Sequence, residues 1–445
     1  MSTKTPLIKK IVAGIALLII PLATPALAVH PLAEKQPALS SELRQFEDQT
    51  EVSASPDAVV TWNAIALRTA IQVARQNQPQ SQMYLAQIQA AVYNAAVAVE
   101  GGYQSYKSQL TPQPDASADA AVATASYLML VHHFPAQQPA LDADYAAALS
   151  AIPDGPTKIA GIDVGQQAAA EIIALRHGDG LEADIGFTMP SPAPGVWQLP
   201  SSVTPLSPWI SQLQPYLLNS PDQFRPGPPP DLSSPEWAKQ FEEVRLMGQN
   251  NSPYRTAEQT DIARFWTTHA QVQYNTAFQK ISRERGLNAV EAARLFAMGN
   301  LVGADALIAC FDAKYHYLFW RPQFAIPLGD SDGNPATIGN SSWQPLLVTP
   351  PHPEYPSAHS CLTSATAEVL VAFLGTQRIE LDLTSTAPNL IKSTRHYQYA
   401  QELVQEIIDA RVWGGIHYRE SDVKGANLGR KVAHWALKHY FLAVP

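Results

Sequence analysis

The chain has 445 residues, 46% of them hydrophobic and 16% charged, with a formal net charge of -9. Such a chain can bury a large core and is not disordered, and its negative balance argues against a nucleic-acid or anionic-membrane surface as the main partner. Any cluster of cations is therefore local and needs its own explanation.

The N-terminus reads Lys9-Lys10, an apolar run over 11–23, then Ala26-Leu27-Ala28. This is the pattern of a secretory signal peptide, residues 1–28, with a mature start at Val29. A signal anchor is the alternative, although the run is short for a bilayer span. No later stretch has 18 uncharged apolar residues, so the mature chain is expected to lack a membrane span and to be periplasmic or secreted. Only two cysteines occur, Cys310 and Cys361, with no C-x-x-C and no H-E-x-x-H, which argues against structural zinc. In an oxidising compartment the two can pair, or they can remain buried free thiols.

An N-terminal helical region is predicted over 29–185, from Ala-rich helical periodicity at 62–74, 83–99, 120–131, 141–149 and 158–176. A Pro-rich segment over 186–234 culminates in Arg225-Pro226-Gly227-Pro228-Pro229-Pro230 and cannot be continuous helix. It is predicted to pack across the body and border the active-site mouth, with a free linker as the alternative. Over 235–445 helices resume at three start signals: Ser234-Pro235-Glu236, Thr256-Ala257-Glu258-Gln259 and Asn288-Ala289-Val290-Glu291. One long helix is predicted from Asn288 to Trp320, ended by Arg321-Pro322, with further helices over 361–374, 396–413 and 423–441. The predicted fold class is all-α, helical bundles with an irregular Pro-rich segment in the middle.

Three groups of residues carry chemistry. On the predicted long helix Lys314 and Arg321 are seven apart, about 20° from one another around the axis and roughly 10 Å along it. Two cationic side chains can then converge on one anion, or else both reach solvent separately. In Pro353-Glu354-Tyr355-Pro356-Ser357-Ala358-His359, the prolines keep the residues before them out of the helical region, and Ser357 stands at an N-cap position. The first-turn N–H groups and the positive end of the helix dipole make Ser357, Ala358 and His359 a natural oxyanion site. In Arg411-Val412-Trp413-Gly414-Gly415-Ile416-His417, the glycine pair ends one helix and lets His417 turn back toward Arg411.

Together these residues form a pocket for a tetrahedral or trigonal-bipyramidal oxyanion. K-x6-R-P (314–322), P-S-A-H (356–359) and R-x5-H (411–417) resemble the three motifs of the vanadium-dependent haloperoxidase and type 2 phosphatidic acid phosphatase superfamily. They span about the last third of the chain. The resemblance implies a mainly helical fold with a four-helix-bundle core. It implies that His417 is the axial vanadium ligand, or in a phosphatase the nucleophile that forms a phosphohistidine. Lys314, Arg321 and Arg411 would neutralise the equatorial oxygens, with the Ser357 hydroxyl and Ala358 N–H completing the cradle, and His359 would be the acid/base. In the haloperoxidase case vanadate is the cofactor, hydrogen peroxide and halide are the substrates, and hypohalous acid leaves. In the phosphatase case no cofactor is needed and the substrate is a phosphate ester.

The sequence departs from this pattern in two places. Most members have glycine where this chain has Ala358, which adds a methyl beside the anion. An acidic residue usually follows the last histidine by four, and here Ser421 holds that place between Glu420 and Asp422. Asp422 either helps start the next helix or supports His417 from behind. His352 resembles the bromoperoxidases of the family, where its chloroperoxidase has phenylalanine, which favours bromide or iodide. Phe311, three residues before Lys314, would then be a pocket wall, although a helix aromatic is also plain core. His132, His133, His269, His316, His396, His434 and His439 have no partner spacing and are assigned to ordinary hydrogen bonding. Three functions stay open: an exported haloperoxidase, a soluble acid phosphatase with the same pocket, and a non-catalytic oxyanion-binding protein. The aromatic-rich stretch 315–320 with His352 looks more like the haloperoxidase branch. Small molecules are the expected partners in the first two, and a homo-oligomer is compatible with all three.

Overall fold

A computed structural model describes residues 58–444. The expected signal peptide, and the part of the N-terminal region before residue 58, lie outside the described residues.

The first bundle is built from α1 (Ala58–Leu67), continued by a π-helical turn Arg68–Val73, and α2 (Gln78–Glu100), α3 (Ala118–His133), α4 (Gln138–Ser150) and α5 (Pro156–Arg176). Asn77 and Ser117 cap α2 and α3 with their side chains. The second half holds α6 (Pro235–Met247), α7 (Ala257–Phe265), α8 (Ala270–Arg285), α9 (Ala289–Tyr317) and a one-turn α10 (Pro322–Ala325). It ends with α11 (Ala358–Leu374), α12 (Ala400–Trp413) and α13 (Arg419–His439). Ser234 caps α6, and both predicted capping boxes, at Thr256 and Asn288, are formed.

Among the described residues the regular structure is helical apart from one hairpin, β1 (Arg378–Thr384) paired antiparallel with β2 (Thr394–Tyr399). The hairpin corrects the helix predicted over 396–413, which starts only at Ala400. Its strands alternate burial, with Ile379, Leu381 and Leu383 inward on β1 and Arg395 and Tyr397 inward on β2. That is a period of two, read wrongly as part of a helical period. The last helix likewise begins at Arg419 rather than 423.

Helix α9 is the axis of the molecule. Twenty-nine residues long, it packs against α2 from the first half and against α11 and α13 from the second. Helices α11, α12 and α13 also pack on one another, so α9, α11, α12 and α13 form a four-helix group. One apolar cluster runs through both halves, including Met83, Tyr93, Leu301, Ile308, Leu370 and Val432. By length and hydropathy α9 would span a bilayer, but 94% of its apolar window is buried in this core. The closest approach in the group is at α13. A Cβ at Gly429 would meet the Cys361 carbonyl oxygen at 2.1 Å, and one at Gly425 would meet the Ser357 carbonyl oxygen at 2.6 Å. Glycine at these two positions is what lets α13 seat the start of α11.

Candidate active site

Helix α9 stops at Tyr317, where Leu318 takes a left-handed conformation (φ 50°) as the C-cap. This corrects the predicted helix through Trp320: Lys314 and Arg321 do not share a helix. Lys314 lies in the last turn of α9, and Arg321 is the N-cap of α10 after an extended break. The Lys314 carbonyl, accepting from the N–H of the C-cap Leu318 at 2.9 Å, closes the helix, and the chain then turns Arg321 inward.

The Pro-rich segment packs over this break. Trp197 N donates to Leu318 O at 2.7 Å and Trp320 N to Gly195 O at 3.0 Å. Leu206 N donates to Pro351 O at 2.8 Å, and Arg225 forms a two-bond ion pair with Asp312, at 2.6 and 2.7 Å.

Residues from the three sequence groups lie together behind this cover. Lys314 is fully buried, and its Nζ donates to the carbonyls of Pro353 (2.8 Å) and Glu354 (2.9 Å). One ammonium proton is left for a guest. Burial lowers its pKa to about 8. Arg321 uses its whole fork: Nε donates to His352 O at 3.0 Å, and Nη1 to Ile416 O at 2.7 Å. Its Nη1 also lies 3.1 Å from His417 Nε2, and its Nη2 2.9 Å from His352 Nδ1. Arg411 is buried near the end of α12 with Nη1 on Trp266 O at 3.2 Å, and its Nε has no protein partner. Burial brings Arg321 and Arg411 each down to about 10, so both remain cations at neutral pH.

Ser357 is the N-cap residue of α11, with extended backbone (φ -72°, ψ 121°), but its hydroxyl does not cap the helix. Its own N–H donates to Ser421 O at 3.0 Å. The first-turn N–H groups at Ala358 and His359 have no upstream helical carbonyl to accept them, so they are available to an anion. His359 follows in the same turn, with Nε2 buried and unpartnered. Burial, and then the charges of Arg411, Lys314 and Arg321, hold it well below the usual histidine range, so it is a neutral base.

His417 is buried, with Nδ1 2.8 Å from Glu354 Oε1. Burial, and then Arg321, Lys314 and Arg411, keep the ring neutral. A guanidinium can only donate, so Nε2 faces Arg321 as a lone pair and Nδ1 carries the proton toward the carboxylate. His352 is also buried, its ring centroid 5.4 Å from that of Phe311, which is fully buried against it.

Two further features were not read from the sequence. Glu354 was quoted only as part of the approach segment, yet it is fully buried and contacts His417. Burial raises its pKa to about 7. Its signal was a lone acid in an otherwise uncharged, proline-held stretch. His269, set aside as an ordinary histidine, is close enough to His359 to disfavour its protonation. Asp422 lies in the first turn of α13, where it accepts from Ser360 Oγ at 2.9 Å, and its Oδ2 is unpartnered. Glu420 accepts from Gln240 Nε2 at 3.0 Å. Cys310 and Cys361 are free, buried thiols hydrogen-bonded to one another, with Cys310 Sγ also donating to Pro356 O at 3.4 Å.

The fit to an oxyanion rests on these donors. Three cations, a first-turn N–H pair and the unpartnered Arg411 Nε suit a small anion carrying several oxygens. A surface trough of about 550 Å³ lined by Tyr399, Glu402, Glu406, Asp409 and Trp413 lies elsewhere, and its acidic rim repels such a guest.

The helical fold closed around this cradle is the fold of solved bacterial vanadium-dependent haloperoxidases. Residues 294–444 match the family model of the VCPO second helical-bundle domain. Among solved structures, a bacterial vanadium-dependent iodoperoxidase is similar at 23% identity and TM-score 0.72, over 88% of this chain and 98% of that one. The apo form of a bacterial vanadium-dependent chloroperoxidase is similar at 16% identity and TM-score 0.66, over 80% of this chain and 92% of that one. A holo-type bacterial vanadium-dependent chloroperoxidase gives 15% identity and TM-score 0.66, over 81% of this chain and 91% of that one. No curated protein sequence matches the chain.

Proposed function

We propose that this protein is a vanadate-dependent haloperoxidase that oxidises bromide or iodide with hydrogen peroxide to a hypohalous acid. The observation that carries it is the His417 ring, held neutral with its Nε2 lone pair turned into a cradle of three buried cations. Vanadate bound there activates peroxide for two-electron oxidation of halide without changing its own oxidation state. Lys314, Arg321, Arg411 and the Ala358 and His359 N–H groups would hold its oxygens, and His417 Nε2 would be its protein ligand. His359 Nε2, neutral and unpartnered, takes a proton from entering hydrogen peroxide and returns it to the departing oxygen. The closed wall of His352 and Phe311 and the Pro-rich cover limit water at the site. The halide preference rests on His352 and on the likeness to an iodoperoxidase.

A phosphatase is the second reading, favoured by the Glu354–His417 pair, since a carboxylate-oriented imidazole also suits a phosphohistidine nucleophile. The same proposal places the protein outside the cytoplasm, on the strength of the N-terminal pattern. Sequencing the exported product should then find Val29 first.

The purified mature chain, incubated with orthovanadate, is expected to brominate an organic acceptor in the presence of peroxide. Phosphate monoester hydrolysis without bromination would reverse the two readings. Anion binding with neither activity would leave an oxyanion-binding protein.

A further inference from the structure

Three residues, His417 and Tyr418 before α13 and Ser421 in its first turn, converge on one carboxylate. Glu354 Oε1 lies 2.8 Å from His417 Nδ1 and 3.0 Å from Tyr418 N, and Oε2 accepts from Ser421 Oγ at 2.5 Å. The Glu354 backbone is fixed from two sides: its N–H donates to Phe319 O at 2.9 Å, and its carbonyl accepts from Lys314 Nζ at 2.9 Å. The side chain therefore has little freedom to leave the imidazole.

Among the described residues no other carboxylate contacts His417. Glu420 is bonded to Gln240 and the Lys424 ammonium, and Asp422 to Ser360. Ser421, four residues after His417, carries no charge and points its hydroxyl at Glu354. An aspartate at 421 would set two buried carboxylates against each other, whereas a serine donates to the one present.

We propose that Glu354 is the positioning carboxylate for His417. Ser421, four residues after His417, supports this carboxylate by donating to its second oxygen. Glu354 fixes the imidazole with Nδ1–H outward and the Nε2 lone pair toward the cradle, as carboxylates behind ligating histidines do. It also ties the helix α11 approach to the α12–α13 turn, so both motifs move as a unit. The proposal rests on the assignment of His417 as the residue that meets the oxyanion.

The test compares the folded full-length mature chain with Glu354→Gln, Glu354→Ala and Glu354→Ala/Ser421→Asp. Two quantities are read: the His417 tautomer, by nitrogen-15 NMR of histidine-labelled protein, and the dissociation constants of orthovanadate and orthophosphate, by equilibrium dialysis. The expected result is a single Nδ1–H tautomer in the parent chain, lost in Glu354→Ala with a fall in orthovanadate affinity of about 10- to 100-fold. Glu354→Gln, which keeps an acceptor and the same shape, should hold the tautomer with a smaller loss. Ser421→Asp in the alanine background should restore both. An unchanged tautomer and affinity within twofold in both single variants overturns the proposal, as does a folded double variant that recovers neither. If Glu354→Ala does not fold, the isosteric Glu354→Gln decides: an affinity equal to the parent's sinks the proposal. Should the parent chain bind neither anion, the assigned function fails by itself, while the tautomer measurement still judges Glu354.

Discussion

Arg321 Nη1 lies 3.1 Å from His417 Nε2, and the opposite arm of the same guanidinium reaches His352 Nδ1 at 2.9 Å. Because a guanidinium has no acceptor, it sets the orientation of both rings at once. Lysine could supply the charge but not the planar fork. Arg321→Lys is therefore expected to weaken orthovanadate and orthophosphate binding by about 10- to 100-fold. It should also destabilise the fold by about 2–4 kcal/mol, as the carbonyls of His352 and Ile416 lose buried donors. Isothermal titration and a denaturant melt on the same sample would show both effects, and an unchanged anion affinity would remove Arg321 from the cradle.

His417→Ala deletes the one imidazole whose Nε2 faces the cations while its other nitrogen is held by an acid. Peroxide-dependent bromination with saturating orthovanadate should fall by at least about 100-fold with the helical circular dichroism spectrum intact. Undiminished turnover in this variant would show that another residue meets the guest.

Much of the site was legible because each motif holds a cation or histidine at a spacing that helix geometry or a glycine stop makes meaningful. Lys314, Arg321, Ser357, His359, Arg411 and His417 all come from short segments bounded by proline or glycine. The route by which Lys314 and Arg321 meet was not legible. It depends on Leu318 adopting a left-handed C-cap, a conformation leucine rarely shows and sequence does not announce. Glu354 was hidden for a different reason: a carboxylate in a proline-rich stretch reads as solvated until tertiary packing buries it. Helices with side-chain caps, such as those at Thr256 and Asn288, were found near their true ends. The hairpin before α12 was missed because its inward Arg395 and Tyr397 break the apolar alternation expected of a strand.

Ala358 stands at the first turn of α11, where the methyl adds bulk beside the two free N–H groups. Ala358→Gly should leave those donors in place and open the cradle, tightening orthovanadate binding by a few-fold. The helix-propensity cost is about 0.5–1 kcal/mol, read as a lower melting temperature. Weaker binding in this variant would mean that the methyl packs the site rather than crowding it.

His269 precedes α8 with Nδ1 buried and unpartnered, and burial lowers its pKa to about 4. The unfolded chain takes up this proton near pH 6.5, whereas the folded chain resists until about pH 4. Its contribution to stability is thus fully present above pH 6.5 and is lost as pH falls through that window. His269→Gln is expected to flatten the stability curve between pH 6.5 and 4 by the order of 1–3 kcal/mol. Urea melts at a series of pH values would measure it, and parallel curves for parent and variant would contradict it.

Asp305 lies in the middle of α9, fully buried, and receives the backbone N–H groups of Tyr216, Leu217 and Leu218, each at 2.7 Å. These bonds anchor the Pro-rich segment to the helix that presents Lys314, and Tyr106 reaches the same turn through its hydroxyl on Tyr216 O at 2.9 Å. Asp305→Ala removes the acceptor for three buried donors at once, each of which costs about 1–3 kcal/mol when left unpaired. Water entering the vacated space would recover part of this, so a net loss of about 3–5 kcal/mol is expected. Asp305→Asn keeps one acceptor oxygen and should lose less. Because the anchor sits two helical turns from Lys314, the alanine variant should also loosen the cover, seen as faster hydrogen exchange at residues 195–218. A variant with parent-like stability and exchange would show that the segment is held by its own packing, not by this carboxylate.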